Sequence, residues 1–382
     1  MGRVKIAFLS FILTFFLISC GSKETQSSDL DALPALTGHM ELLYATEFSV
    51  DYYENGYASI HIGDGNHYVL VPEGYPPIIL DDENATMIQM PCDEIYLAAS
   101  SAMDLFHELD ALGNIGSCST KAEDYYDADV RRAIEGQEIV YVGKYSAPDY
   151  ERLMALKTNL AIESTMIYHT PKTKEELESL GIPVLVERSS YETSPFGRLE
   201  WLKLYGLLLG KYDEAEQYFT NQVENVNALI ENLDDSGEKR PEVLFFYLSS
   251  NGYVNVRKPG DYVSKMIAIA GGEYALDSLE LDEENALSTV NISWEDFYYY
   301  GKEADILIYN GTIDGGITSI DELIHQNALF AEFKSVKENR VYCANNNMYQ
   351  ETSKLGDIIA EFYAVIHQTD ADLQYIKRVY EE

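Results

Sequence analysis

Short apolar runs alternate with helix-length segments, twice over, and this order most narrows what the chain can fold into. Residues 94–99 (EIYLAA), 139–142 (IVYV) and 160–163 (LAIE) are each followed by a helical stretch, at 102–112, 148–157 and 172–180, and residues 184–186 (VLV) close the series. The order returns at 243–247, 306–309 and 340–343, followed by helical stretches at 260–270, 320–330 and 355–366. Strand-then-helix repetition makes a parallel sheet with right-handed crossovers. Between the two series, residues 196–209 read as a helix that breaks at Gly210-Lys211-Tyr212. Residues 213–233 then continue, with Ala215, Tyr218, Phe219, Val223, Val226, Leu229 and Ile230 at helical spacing. At ~1.5 Å per residue that helix reaches roughly 30 Å, the width of a small domain. The expected fold is α/β: two Rossmann-like lobes with parallel sheets, joined by a long spine helix, with a ligand cleft between them.

A β prelude precedes the first lobe. Residues 41–45, 48–53, 58–62 and 67–71 read as strands of a short antiparallel sheet, with Gly63-Asp64-Gly65-Asn66 as a turn. Ser100-Ser101 reads as a cap for the helix at 102–112, and Gly113 as its stop.

The amino terminus reads as an address. Arg3 and Lys5 precede an apolar run over residues 6–18, too short for a membrane span of about 20 residues but suited to a signal-peptide core. The run ends in Leu17-Ile18-Ser19-Cys20-Gly21, which looks like a bacterial lipobox with Cys20 as the lipidated first residue. A plain secretory signal with a Cys at its cleavage site is the alternative. The Ser-, Asp- and Gly-containing stretch that follows reads as a flexible tether. The division expected is 1–19 signal peptide, 20–38 tether, 39–195 first lobe with its prelude, 196–234 connecting helices and 235–382 second lobe. The body is then tethered outside the cytoplasm, with a membrane partner reached through the lipid on Cys20.

Composition excludes several functions. With 27 Lys+Arg against 64 Asp+Glu, the net charge of −37 argues against nucleic acid, whose phosphates must be met by cations. Four Cys exclude a disulfide-dense scaffold. Seven His, with no HExxH pair, argue against a protein-bound zinc or manganese centre, so no metal and no cofactor of its own is expected. Thirty Tyr can build core and also line a wet cleft. GLLLGK at 206–211 lies within a helix and lacks the Ser or Thr of a phosphate loop, and no Gly-x-Ser-x-Gly elbow occurs, so no catalytic function is expected. Cys92 and Cys118 fall near the starts of neighbouring strands, which leaves a disulfide open; Cys343 reads as a buried thiol.

Ligands of parallel α/β sheets bind beyond the carboxyl ends of the strands. That rule selects Ser100, Ser101, Lys144, Tyr145, Ser164 and Thr165 in the first lobe, Tyr191 and Arg198 at the junction, and Ser250, Tyr253, Asn346 and Tyr349 in the second lobe. Arg198 is the sharpest of these, because a guanidinium grips carboxylate or catecholate oxygens with a planar fork; the alternative is an ion pair with Glu192 or Glu200. His169 follows a strand and faces either the cleft or solvent.

Several segments, taken in order, resemble the substrate-binding lipoproteins of ABC importers for iron complexes and cobalamin. They are residues 94–119 (EIYLAASSAMDLFHELDALGNIGSCS), residues 149–160 (DYERLMALKTNL, with Thr158-Asn159 where the family has Pro-Asp), Ser194-Pro195-Phe196-Gly197-Arg198-Leu199-Glu200-Trp201, and Ser293-Trp294-Glu295 ahead of Ala304-Asp305-Ile306. The resemblance implies a monomeric binding protein, not an enzyme, that captures a small-molecule metal chelate such as a ferric siderophore, haem or cobalamin. It implies partners in an ABC permease with its ATPase, and docking through one surface Glu per lobe, Glu151 and Glu295. Two competitors remain: a cofactor protein on the related nitrogenase-type fold, which the three Cys left after Cys20 argue against, and a surface lipoprotein that binds a protein or glycan.

Overall fold

The computed structural model describes residues 33–78, 85–231, 233, 239–279 and 289–381. The leader, Cys20 and most of the tether lie outside the described residues. The prelude is a sheet of five strands in sequential order: β1 Leu36–His39, β2 Phe48–Tyr53, β3 Ala58–Ile62, β4 His67–Val71 and β5 Ala85–Gln89. Pairing is antiparallel up to β4 and parallel between β4 and β5. The expected strand at 41–45 is a loop instead. The N–H groups of Leu43, Tyr44 and Ala45 donate to the buried carboxylate of Glu200 at 2.9, 2.8 and 2.8 Å, and those of Thr46 and Glu47 donate to Glu192 at 2.9 Å. A backbone that turns successive donors onto one carboxylate cannot also present them to a neighbouring strand.

The first lobe runs β6 Ile95–Leu97, α1 Met103–Glu108, β7 Ile115–Cys118, α2 Ala128–Glu135 and β8 Val140–Tyr141. A small hairpin follows, β9 Gly143–Lys144 with β10 Ala147–Pro148, then α3 Tyr150–Ala155, β11 Leu160–Ser164, α4 Pro171–Ser179 and β12 Val184–Glu187. The sheet order is β12-β11-β6-β7-β8, every pair parallel. Ser100 and Ser101 do not cap α1: they form a 3-10 turn that leads into it, and no side chain caps the helix. Cys92 and Cys118 are buried free thiols, so no disulfide joins them; Cys118 Sγ meets the Thr120 carbonyl at 3.2 Å. Cys343 is buried and free, as expected.

The connection is a helical pair, α5 Pro195–Leu209 and α6 Tyr212–Ile230. Gly210 takes φ +67, which ends α5 in the left-handed conformation that costs glycine least. α6 doubles back so that Ala215 abuts Gly206 and Phe219 lies under Lys203. The spine helix expected at 213–233 is present as α6, but the element buried between the lobes is α5. It is buried over most of its length, and Leu199, Trp201, Leu202, Leu204, Tyr205 and Leu208 are fully enclosed beside the buried charges of Glu200 and Lys203. Trp201 packs edge-on to Phe48 of the prelude at 4.9 Å, and Tyr205 packs against Phe106 of α1 at 5.1 Å. One continuous core therefore joins prelude, first lobe and second lobe through α5.

The second lobe contains β13 Glu242–Leu248, β14 Val254–Arg257, α7 Tyr262–Ile269, β15 Glu273–Tyr274, β16 Thr289–Ile292, α8 Trp294–Gly301 and β17 Ile306–Asn310. It closes with α9 Ile320–Gln326, α10 Lys334–Lys337, β18 Val341–Ala344, α11 Leu355–His367 and β19 Ile376–Val379. β13, β17 and β18 are parallel; β14, β16 and β19 add antiparallel edges that the sequence reading did not foresee. Among the described residues no helix is long and apolar enough to cross a membrane.

Candidate functional site

Arg198 stands in the first turn of α5, where the two lobes meet. Its guanidinium carbon lies 4.0 Å from the ring centroid of Tyr262, the first residue of α7. Asp261 caps α7, accepting from the Val263 N–H at 2.9 Å, and also accepts from Arg257 Nη1 at 3.3 Å. Arg257, at the end of β14, lies 4.7 Å from the ring of Tyr349. Two guanidiniums and two phenol rings from α5, β14, α7 and the turn after β18 thus form one cluster. Burial raises the Asp261 carboxyl, and the charge of Arg257 opposes that rise. Burial also raises the Tyr262 and Tyr349 hydroxyls, opposed by Arg198 and Arg257 respectively. Arg198 Nε is buried with no hydrogen-bond partner among the described residues. Neither Glu192 nor Glu200 pairs with it, because both carboxylates are taken by the loop at 43–47.

A cavity of about 790 Å³, within the range of small-molecule sites, is lined by none of the four cluster side chains. Tyr126 of the first lobe overhangs it; Thr318, Cys343, Asn346 and Lys377 line it from the second. Asn346 donates its amide to the Tyr126 hydroxyl. Residues 345–354 cross from lobe to lobe. Gln350 accepts from the Tyr126 N–H at 2.9 Å and donates to the Asp124 carbonyl at 2.8 Å. Thr352 donates to the Ser101 carbonyl at 3.2 Å, the Ser353 N–H to Asp104 at 2.6 Å, and Lys354 to Glu108 at 2.6 Å. Burial pushes the Asp104 carboxyl up to about 6, against the pull of the Ser353 donors.

The structure brings Arg198 and Tyr349 into one cluster and sets Asn346 in the wall of the cavity instead. Ser100 lines a small gap with Asp104 and Gln350, and Ser101 is held in the lobe-to-lobe contact. The remaining candidates lie apart. Tyr191 stacks under Arg188 at 4.1 Å, and Arg188 pairs with Glu47 of the prelude at 2.8 Å. Ser164 accepts from the Met166 N–H at 3.4 Å to start a 3-10 turn that Thr165 opens. Lys144 is exposed on the β9–β10 hairpin, Tyr145 packs on the outer core of the first lobe, and Ser250 and Tyr253 occupy the exposed turn between β13 and β14. Among the described residues no hydrogen bond or ring contact ties these seven to the Arg198 cluster. His169 is exposed. Arg257, Asp261 and Tyr262 were missed because β14 was not foreseen; Asp261 ahead of an apolar helix start was the available signal.

Glu151 and Glu295 occupy matching places. Each is the second residue of its helix, α3 or α8, behind a side-chain cap: Asp149 accepts from the Arg152 N–H at 2.9 Å, and Ser293 from the Asp296 N–H at 3.0 Å. Both Glu are exposed, and no hydrogen bond or ion pair engages either among the described residues.

Residues 96–347, more than half of the chain, match the family described as periplasmic binding protein. The chain belongs to that family. A lipoprotein of Methanocaldococcus jannaschii, of uncharacterized function, is 22% identical over 292 residues, covering 75% of this chain and 67% of the relative. A periplasmic haem-binding protein of Pseudomonas aeruginosa superposes with a TM-score of 0.57 at 16% identity, over 75% of this chain and 97% of that one. A petrobactin-binding protein of Bacillus subtilis gives 0.57 at 13% identity, over 73% and 93%. The fold is thus that of a two-lobed periplasmic binding protein, and its prelude precedes the part matched to the family.

Proposed function

We propose that this chain is the extracytoplasmic solute-binding lipoprotein of an ABC importer. It captures a siderophore-, haem- or cobalamin-type metal chelate between its lobes and hands it to the permease; the metal belongs to the ligand and the chain supplies no cofactor. Family membership supports the class. The Arg198 donor left unmet over the Tyr262 ring carries the ligand chemistry: an oxygen-rich, flat or anionic chelate satisfies the guanidinium and stacks on aromatic faces. The lipobox at Cys20 and the lipoprotein relative support a lipid anchor, and the protein acts as a monomer.

Two outcomes test the reading. Arg198→Ala is expected to weaken chelate binding by about 2 kcal/mol, roughly thirtyfold, measured by fluorescence titration. Unchanged affinity would remove Arg198 from the site. Glu151→Ala with Glu295→Ala is expected to abolish uptake into cells while solution affinity stays at the wild-type value. Normal uptake by that double variant would refute docking through these residues.

A further inference from the structure

The cavity of about 790 Å³ is an electrostatic exception in an acidic chain. The sequence has 64 Asp+Glu against 27 Lys+Arg, yet among the described residues the cavity is lined by Lys377 and Arg378 and by no carboxylate. Its walls are the loop after β17, the end of β18 with the turn that follows, and β19 with its approach; the first lobe contributes Tyr126. The loop is drawn close against β18: a Cβ at Gly316, which takes φ +83, would come within 2.5 Å of Cys343 Sγ. Arg378 is committed elsewhere, donating from Nη2 to the Asn339 carbonyl at 2.8 Å and lying 5.5 Å from the ring of Tyr380. Lys377 is exposed, and its ammonium has neither an ion pair nor a hydrogen bond among the described residues. Resting on the reading of this chain as a chelate-capturing protein, we propose that Lys377 selects the cargo: the cavity takes a chelate that carries free carboxylates in preference to a neutral or cationic one.

The preference follows from the donors. An ammonium beside a concave wall attracts an anion more strongly than the same group on an open surface, because less water lies between them. The antiparallel pairing of β19 with β18 sets Lys377 opposite Cys343 and fixes its backbone. Neutral donors stand with it. The Tyr126 hydroxyl accepts from the Asn346 amide, so its own proton remains for a ligand oxygen. The Gln374 side-chain amide, also in the wall, has no hydrogen bond among the described residues. A carboxylate offers about four lone-pair sites to such donors and its charge to the ammonium. A cationic chelate meets repulsion from Lys377 that no carboxylate of the lining offsets. The acidic surface elsewhere acts weakly on a bound ligand, because exposed charges are screened beyond about 8 Å at physiological ionic strength. The cation in contact with the cargo therefore decides the preference.

Fluorescence titration of the full chain in detergent tests this with haem and ferric citrate, which carry ionised carboxylates, and with ferrioxamine B and cyanocobalamin, which carry none. The tightest ligand of the set is expected to be a carboxylate bearer. Lys377→Gln is expected to weaken it at least roughly tenfold, the loss of a charge-assisted contact. Lys377→Arg, which keeps the charge, and Lys337→Gln on α10, which removes one elsewhere, are expected to leave it near the wild-type value. Raising NaCl to about 1 M is expected to weaken it in the wild type and to act little on Lys377→Gln. A tightest ligand without carboxylates overturns the proposal and leaves chelate capture standing. So does a carboxylate bearer held equally well by the wild type and Lys377→Gln. No binding of any of the set at about 1 mM, the weak end of specific affinity, contradicts chelate capture itself and overturns the proposal with it.

Discussion

Replacing Glu163 with Gln is expected to stabilise the protein by roughly 4 kcal/mol at pH 9 and to leave it nearly unchanged at pH 5. Glu163 is on β11 and fully enclosed, and neither carboxyl oxygen has a hydrogen-bond partner among the described residues. Burial without a compensating cation pushes its carboxyl from 4.5 up to about 8. The folded state therefore keeps this proton over a pH range in which the unfolded chain has lost it. Stability falls as pH climbs from about 4.5 to about 8, then levels off, because ionising the group in place opposes folding. Glutamine has no proton to lose and removes that slope. Urea unfolding of both proteins at pH 5 and pH 9 measures the difference; an equal gap at the two values would mean that Glu163 is ionised and paired in solution.

The second large effect belongs to Glu200. Its carboxylate, enclosed on α5, accepts three backbone N–H groups from the loop at 43–45 and lies 3.1 Å from the Lys203 ammonium, itself only 3% exposed. Glu200→Ala leaves three part-buried backbone donors without their acceptor and strips the buried Lys203 of its carboxylate, leaving it the Glu41 carbonyl at 3.1 Å. Removing one partner from such an arrangement destabilises by about 3–5 kcal/mol. The prelude is expected to loosen first, because this loop fastens it to α5 and the Thr46–Glu192 contact fastens it to the segment just before α5. Limited proteolysis is expected to cut near residues 41–47 in the variant and not in the wild type. A variant with wild-type melting and no new cut would show that apolar packing of Phe48 on Trp201 suffices to hold the sheet.

Much of the fold was legible because its strands are short, apolar and followed by periodic helices. Residues 94–99, 160–163 and 306–309 fell on β6, β11 and β17, and Gly210 marked the break between α5 and α6. What failed to show was decided by contacts distant in sequence. Residues 41–45 have strand composition, but Glu200, far along the chain, claims their N–H groups. β14, paired antiparallel with both β13 and β16, and β19, at the sheet's edge, gain their partners only when the sheet assembles, so nothing local announces them. The strand-end rule found Arg198, Asn346 and Tyr349, which sit at the junction. It also gathered Lys144, Ser164 and Ser250, which have no hydrogen bond or ring contact with the Arg198 cluster among the described residues. Arg257 lies at the end of an antiparallel strand, outside the rule's scope.

Native mass spectrometry of the mature chain against ferric siderophores, haem and cobalamin tests the central claim most directly. One chelate is expected to add one ligand mass per chain in the wild type, with that adduct much reduced in Arg198→Ala. A spectrum that shows only the bare protein with every chelate would contradict solute capture between the lobes.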